Sequence, residues 1–187
     1  MNIEIKRLNK EILNDYLSFF DNFVFDDHPD WKNCYCYSYH FVGTAKEWNI
    51  EGRNRQKAIE LISNGLMRGY LAYMNDKPIG WVNANDKNNY ERLKLFKEIG
   101  TDENTKTCSV VCFVISPDYR RKGVATKLLE RVCEDYKTDG YKYVEAYPDN
   151  YAISNEENFN GPKSLYEKNG FKIYKELKDY NIVRREF

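Results

Sequence analysis

The sequence lacks an excess of either charge. Its 187 residues hold 29 Lys and Arg against 29 Asp and Glu, which excludes a bulk basic field for nucleic acid. It also lacks an apolar run of about 18 residues, so no membrane span is expected. The opening MNIEIKRLNKE alternates apolar and polar residues and contains no hydrophobic leader core. The expectation is a cytoplasmic chain. Internal repeats, low-complexity tracts and an interdomain linker are missing too, which predicts a single domain over residues 1–187. The five cysteines, Cys34, Cys36, Cys108, Cys112 and Cys133, are an odd set and read as free thiols of a reducing compartment. Cys34 and Cys36 stand closer than zinc pairs usually do, and no second pair follows, so with His28 and His40 nearby no metal is expected.

What is present is enough apolar side chain to fold: 42% hydrophobic residues exclude disorder by composition. The 16 tyrosines point to an aromatic core or to aromatic-lined pockets. Ile3, Ile5 and Arg7 alternate as a strand, and Ile12 to Val24 carry a helical stripe. A second helix is predicted near Arg55 to Asn64, with Gly65 as its stop. Tyr70–Met74 and Ile79–Ala84 flank Asn-Asp-Lys-Pro as a hairpin. A polar insert follows, with one short helix expected around Tyr90 to Ile99. CSVVCFVIS, Cys108 to Ser116, reads as a buried central strand that Pro117 ends. Val124 to Tyr136 form the clearest amphipathic helix, and Tyr141 to Tyr147 a strand. Pro162 opens a short helix that Gly170 stops, and Phe171–Leu177 and Asn181–Phe187 close the chain as paired strands. This order implies an α/β domain with one mixed sheet and helices on its faces. The closing strand pair offers an edge for a homodimer.

The most informative stretch is CFVISPDYRRKGVATKLLERV. An apolar strand enters a basic turn, and the clear helix leaves it at once. Unpaired N–H groups at the helix start attract an anion, and Arg120, Arg121 and Lys122 add positive charge. Gly123 allows close approach, and Ala125 leaves room over the turn. A phosphate or pyrophosphate is the natural ligand. The Walker pattern GxxxxGK followed by Ser or Thr is absent.

Arg120-Arg121-Lys122-Gly123-Val124-Ala125 resembles the acetyl-CoA motif of the GCN5-related N-acetyltransferase (GNAT) family: Gln or Arg, two residues, Gly, one residue, then Gly or Ala. SLYEKNGF, with Tyr166 and the pair Gly170-Phe171, resembles that family's second signature. The resemblance implies a GNAT fold whose central strands splay apart. It implies pyrophosphate on the N–H groups from Arg121 to Thr126, and pantetheine along the backbone of Phe113, Val114 and Ile115. It divides the chain into a mainly acceptor side, 1–107, and an acetyl-CoA-binding core, 108–187. The family often places Asn seven residues before the Tyr. That position is Phe159 here, so the contact is assigned to the adjacent Asn160. No carboxylate lies on the strand before the motif, unlike some members.

The implied activity is direct acetyl transfer from acetyl-CoA to the primary amine of a small molecule, a metabolite or antibiotic. A protein or peptide acceptor, and a non-catalytic acyl-CoA-binding module, are the alternatives. An alkyl amine arrives protonated, with a pKa of about 10.4, so a base is needed. Glu145 is the first candidate, weighed against a surface glutamate paired with a lysine; His40 is the second. Tyr166 is expected to protonate the departing thiolate. The segment WKNCYCYSYHF is expected to wall the acceptor pocket, with Tyr35, Tyr37 and Tyr39 on one face if extended.

Overall fold

A computed structural model describes residues 2–25, 28–100, 104–151 and 158–187. Seven strands form one mixed sheet in the order β1-β2-β3-β4-β5-β7-β6. They are β1 (Glu4–Arg7), β2 (Gly69–Met74), β3 (Lys77–Asp86), β4 (Thr107–Ile115), β5 (Tyr143–Ala146), β6 (Lys172–Glu176) and β7 (Asn181–Glu186). Neighbours pair antiparallel except β4 with β5. The helices are α1 (Leu13–Asn22), α2 (Ala45–Trp48), α3 (Arg53–Ser63), α4 (Val124–Thr138) and α5 (Lys163–Lys168). The expected mixed α/β architecture is therefore present, and no described helix is long and apolar enough to cross a membrane.

Each face of the sheet buries its own core. Tyr16, Phe19 and Phe20 of α1, with Ala58 and Ile62 of α3, pack on Leu71, Trp81 and Val111 on one face. Leu128, Val132 and Tyr136 of α4 cover Tyr70, Val82 and Val144 on the other, where α5 adds Leu165 and Tyr166. The stripes that dictate these helices are the stripes they bury.

Two irregularities of β4 shape the middle of the sheet. Asn83 pairs with Cys112 and Ala84 with Val110, so Val111 is an extra residue, a β-bulge. The side-chain alternation slips there: Val111 and Cys112 both enter the α1 core, while Val110 and Phe113 enter the α4 core. Second, β4 and β5 pair only from Thr107–Tyr143 to Val110–Ala146, although β4 runs on to Ile115. Beyond Ala146 the chain stays with the β7 side, where Asn181 donates to the Pro148 carbonyl and Asp149 bridges Tyr180. The central strands thus splay, as the resemblance implies.

Two expectations need correction. Residues 90–99 form no α-helix, only a single 3₁₀ turn at Leu93–Leu95; Tyr90, Leu93 and Ile99 are buried, while Leu95 and Phe96 face solvent. The segment from 28 to 48 is not extended either. It coils through 3₁₀ turns at Pro29–Trp31 and Ser38–His40, with Tyr35 and Cys36 both at positive φ. Its tyrosines diverge: Tyr35 donates to Asp21, Tyr37 lies parallel to Trp48, and Tyr39 donates to Asn160.

Candidate functional site

A cleft of about 690 Å³ opens where the sheet splays. One wall is the strand–turn–helix unit: Cys112 to Ile115 at the end of β4, then Tyr119, Arg120, Arg121, Gly123 and Val124 to Thr126. Helix α5 continues it, with Ser164, Leu165 and Lys168. The facing wall comes from the first third of the chain and contains His28, Asp30, Trp31, Cys34, Ser38 and Trp48. Phe159 meets Trp31 edge to face, the rings 6.5 Å apart.

The basic turn has the form an anion needs. Arg121 has φ 58° and Gly123 has φ 81°, so the backbone reverses hand twice within three residues. Such reversals gather N–H groups into a concave nest. Gly123 is the N-cap of α4 and provides no side-chain cap, and no acidic residue occupies the first turn. The N–H groups of Val124, Ala125 and Thr126 have no helical acceptor by geometry, and all three residues line the cleft. Gly123 lines the cleft, and a Cβ there would meet no atom within 4 Å, so the positive φ and not crowding is what calls for glycine. Gly80 of β3 has the opposite surroundings. A Cβ there would lie 2.8 Å from Val124 and 2.9 Å from Ile115, so its absence seats the first turn of α4 on the sheet. Arg120 donates from Nε to the Ile115 carbonyl at 3.1 Å and ties the turn to β4. Lys122 lies over the Tyr119 ring, 5.7 Å from its centroid, and does not line the cleft.

In the wedge between β4 and β5, the Phe113 N–H donates to the Phe159 carbonyl at 2.6 Å. The Ser116 N–H donates to Ile79 on the β3 side, so strand alternation turns Phe113 and Ile115 toward the wedge. Tyr166 stands one layer behind the cleft. It is fully buried, its ring packs against Phe171, and its hydroxyl donates to the Asn160 carbonyl. Burial pushes its phenol well above the ordinary range. Asn160 is also buried, accepting from Tyr39 and donating to Asp149.

Glu145 lies elsewhere. Its Oε1 accepts from Lys87 Nζ at 2.7 Å and from Tyr147 OH at 2.9 Å, and its Oε2 accepts twice from Arg184. It is wholly buried and does not line the cleft. The carboxylate is paired with a lysine, as in the alternative weighed above, but it is buried rather than at the surface, and an arginine holds it too. His40 is outside the cleft too; burial lowers its pKa to about 4. Among the described residues, no cluster of three His, Cys, Asp or Glu side chains has metal-holding geometry.

Asp30 and Lys168 line the cleft without having been singled out in the sequence. Lys168 follows Ser164 by one helical turn, a spacing that was readable once Pro162 fixed the helix start. Asp30 had no such signal, because a 3₁₀ turn carries no periodic pattern.

The family model for the acetyltransferase (GNAT) family matches residues 15–171. Similar solved structures include the PaiA N-acetyltransferase of Thermoplasma acidophilum in complex with coenzyme A (19% identity, all of both chains covered, TM-score 0.60). The polyamine N-acetyltransferase of Drosophila melanogaster, described as forming N-acetylagmatine, aligns over all of both chains at 10% identity and TM-score 0.59. A chain of the NatC complex bound to Gag peptide and CoA aligns at 17% identity and TM-score 0.54, with 100% of this chain and 99% of that one covered. No curated protein sequence matches the chain. With the splayed sheet, the RRKGVA turn and the matched family model in agreement, the chain belongs to the GNAT family of acetyltransferases and is an acyltransferase.

Proposed function

We propose that this acyltransferase passes the acetyl group of acetyl-CoA directly to the primary amine of a small cationic molecule. One observation carries the reading: a single cleft joins the uncapped start of α4 to a facing aromatic wall that bears Asp30. Its volume of about 690 Å³ lies within the range of small-molecule sites. The basic wall suits the phosphates, and the acidic, aromatic wall suits an ammonium group. Residues 108–187 then hold acetyl-CoA, and residues 1–107 mainly receive the acceptor.

In this reading, backbone N–H groups from Arg121 to Thr126 hold the pyrophosphate, within a turn shaped by Arg120 and Lys122. The pantetheine arm enters the wedge beside Phe113, Val114 and Ile115. The Phe113 N–H exchanges the Phe159 carbonyl for the ligand, and the strand N–H groups stabilise the oxyanion. Asn160 takes part through the same loop. Asp30 binds the incoming ammonium. His28, stacked on Trp31 with rings 4.5 Å apart, takes its proton. Glu145, fully occupied by Lys87, Arg184 and Tyr147, holds the sheet together instead. The CoA-bound and polyamine-acetylating neighbours support this reading, while the NatC neighbour keeps a peptide acceptor in the test.

The test is thioester loss from acetyl-CoA across small amines and, in parallel, peptides with free N-termini. Turnover with small cationic amines is expected. Asp30→Asn should raise their KM roughly tenfold and lower kcat less, as loss of one charge-assisted contact predicts. Turnover with peptides alone would overturn the acceptor class. Acetyl-CoA binding without turnover on any amine would overturn the chemistry.

A further inference from the structure

Three of the five cysteines, Cys34, Cys36 and Cys112, line the cleft, and the proposed chemistry uses none of them. Cys36 and Cys112 stand with their sulfurs 2.9 Å apart, although 76 positions separate them in the chain. The backbone is bent to achieve this. Tyr35 and Cys36 are consecutive non-glycine residues at φ 44° and 43°, a conformation that costs energy at each. Two core donors hold the bend in place: Tyr16 OH donates to the Tyr35 carbonyl at 2.5 Å, and Asn83 Nδ2 to the Cys36 carbonyl at 3.0 Å. Asn83 is itself fixed by Tyr90 OH at 2.7 Å and lies directly across the ladder from Cys112. One asparagine thus registers both thiols. Ordinary packing of two small apolar residues would not require a strained turn with two buried anchors.

We propose that Cys36 and Cys112 are a dithiol that closes to a disulfide when a peroxide reaches the cleft, fastening the 28–48 wall to β4. One thiol gives its sulfur electrons to hydrogen peroxide. The O–O bond breaks, a sulfenic acid forms and the first water leaves. The second thiol attacks that sulfur, the S–S bond forms, and the hydroxyl departs with the second proton as another water. Two S–H bonds are lost, the peroxide is reduced, and a dithiol reductant reverses the change. The sulfurs need to approach by about 0.9 Å to reach bonding distance. Burial pushes the Cys36 thiol up, so Cys36 persists as the thiol at neutral pH and the link closes faster as pH rises. The step is independent of what the cleft binds.

The experiment treats the folded, intact chain with hydrogen peroxide, alkylates remaining thiols in denaturant, and maps the peptides by mass spectrometry. A Cys36–Cys112 crosslinked pair is expected, lost on treatment with dithiothreitol and retained in Cys34→Ser. Chain oxidised in guanidinium should instead favour the sequence neighbours Cys34 and Cys36, so the 36–112 link reports the fold. Full alkylation of Cys36 and Cys112 after peroxide, or linkage of Cys34 to either in the folded chain, would overturn the proposal. So would irreversible sulfinic acid at either position.

Discussion

Tyr166 shows how one residue can match a family signature and still need a particular motion to act. Its hydroxyl is engaged with the Asn160 carbonyl, and its ring is sealed behind Gly161 and Phe171. As the acid for the departing thiolate, it must release that carbonyl when the pantetheine arm displaces the Phe159–Phe113 hydrogen bond. Both bonds belong to the same loop, so one entering ligand can break them together. Tyr166→Phe separates this role from packing, since it keeps the ring and removes the proton. The acid role predicts a kcat loss of about 10–10³-fold with acetyl-CoA affinity nearly unchanged. Turnover within about twofold of the parent, with chemistry rate-limiting, would remove Tyr166 from the mechanism.

At the scale of elements, the β4–turn–α4 unit holds the strongest claim on a ligand, and Gly123 is its weakest tolerance. At φ 81° any L side chain is strained, and Gly123 lines the cleft. Gly123→Val should therefore abolish detectable acetyl-CoA binding in calorimetry, while Arg121→Ala weakens it only moderately, because backbone donors hold most of the anion. Equal affinity of Gly123→Val and the parent would move the pyrophosphate elsewhere. This unit was legible in the sequence because strand run, turn chemistry and helical stripe agree within some twenty residues. The aromatic segment was not. Its path depends on positive φ at Tyr35 and Cys36, which long-range anchors on Tyr16 and Asn83 help to fix. The helix α2 was legible and passed over: Thr44 and Glu47 form a capping box that the sequence displays. Glu145 stood as the first candidate base, but the sequence of a strand cannot reveal Lys87 and Arg184 arriving from the insert and β7.

Across the whole molecule, acid stability reports how firmly the 28–48 wall of the cleft is built into the fold. His40 sits where that wall meets the insert: its ring packs on Tyr90, and the neighbouring Tyr39 carbonyl accepts from the Arg92 N–H. Its Nε2 is buried without a hydrogen-bond partner. Burial lowers its pKa from 6.5 to about 4, against weaker opposing effects of the Asn89 carbonyl and Glu91. The native state therefore binds this proton less well than the unfolded chain does. Stability from His40 is complete above pH 6.5 and is lost as the pH falls from there toward 4. Near pH 4.5 the loss amounts to about 2–3 kcal/mol, worth roughly 5–10 °C in Tm for a chain of this size. Asp21, whose pKa is lowered chiefly by its hydrogen bond to Arg55 against the cost of burial, also gives up stability in acid. That contribution is the same with or without His40. The difference between the parent and His40→Phe therefore isolates the imidazole. The variant should lose about 5–10 °C less than the parent when melted near pH 4.5 rather than near pH 8. Parallel melting profiles over that range would mean that His40 reaches water in the folded state and that the wall opens more readily than its packing implies.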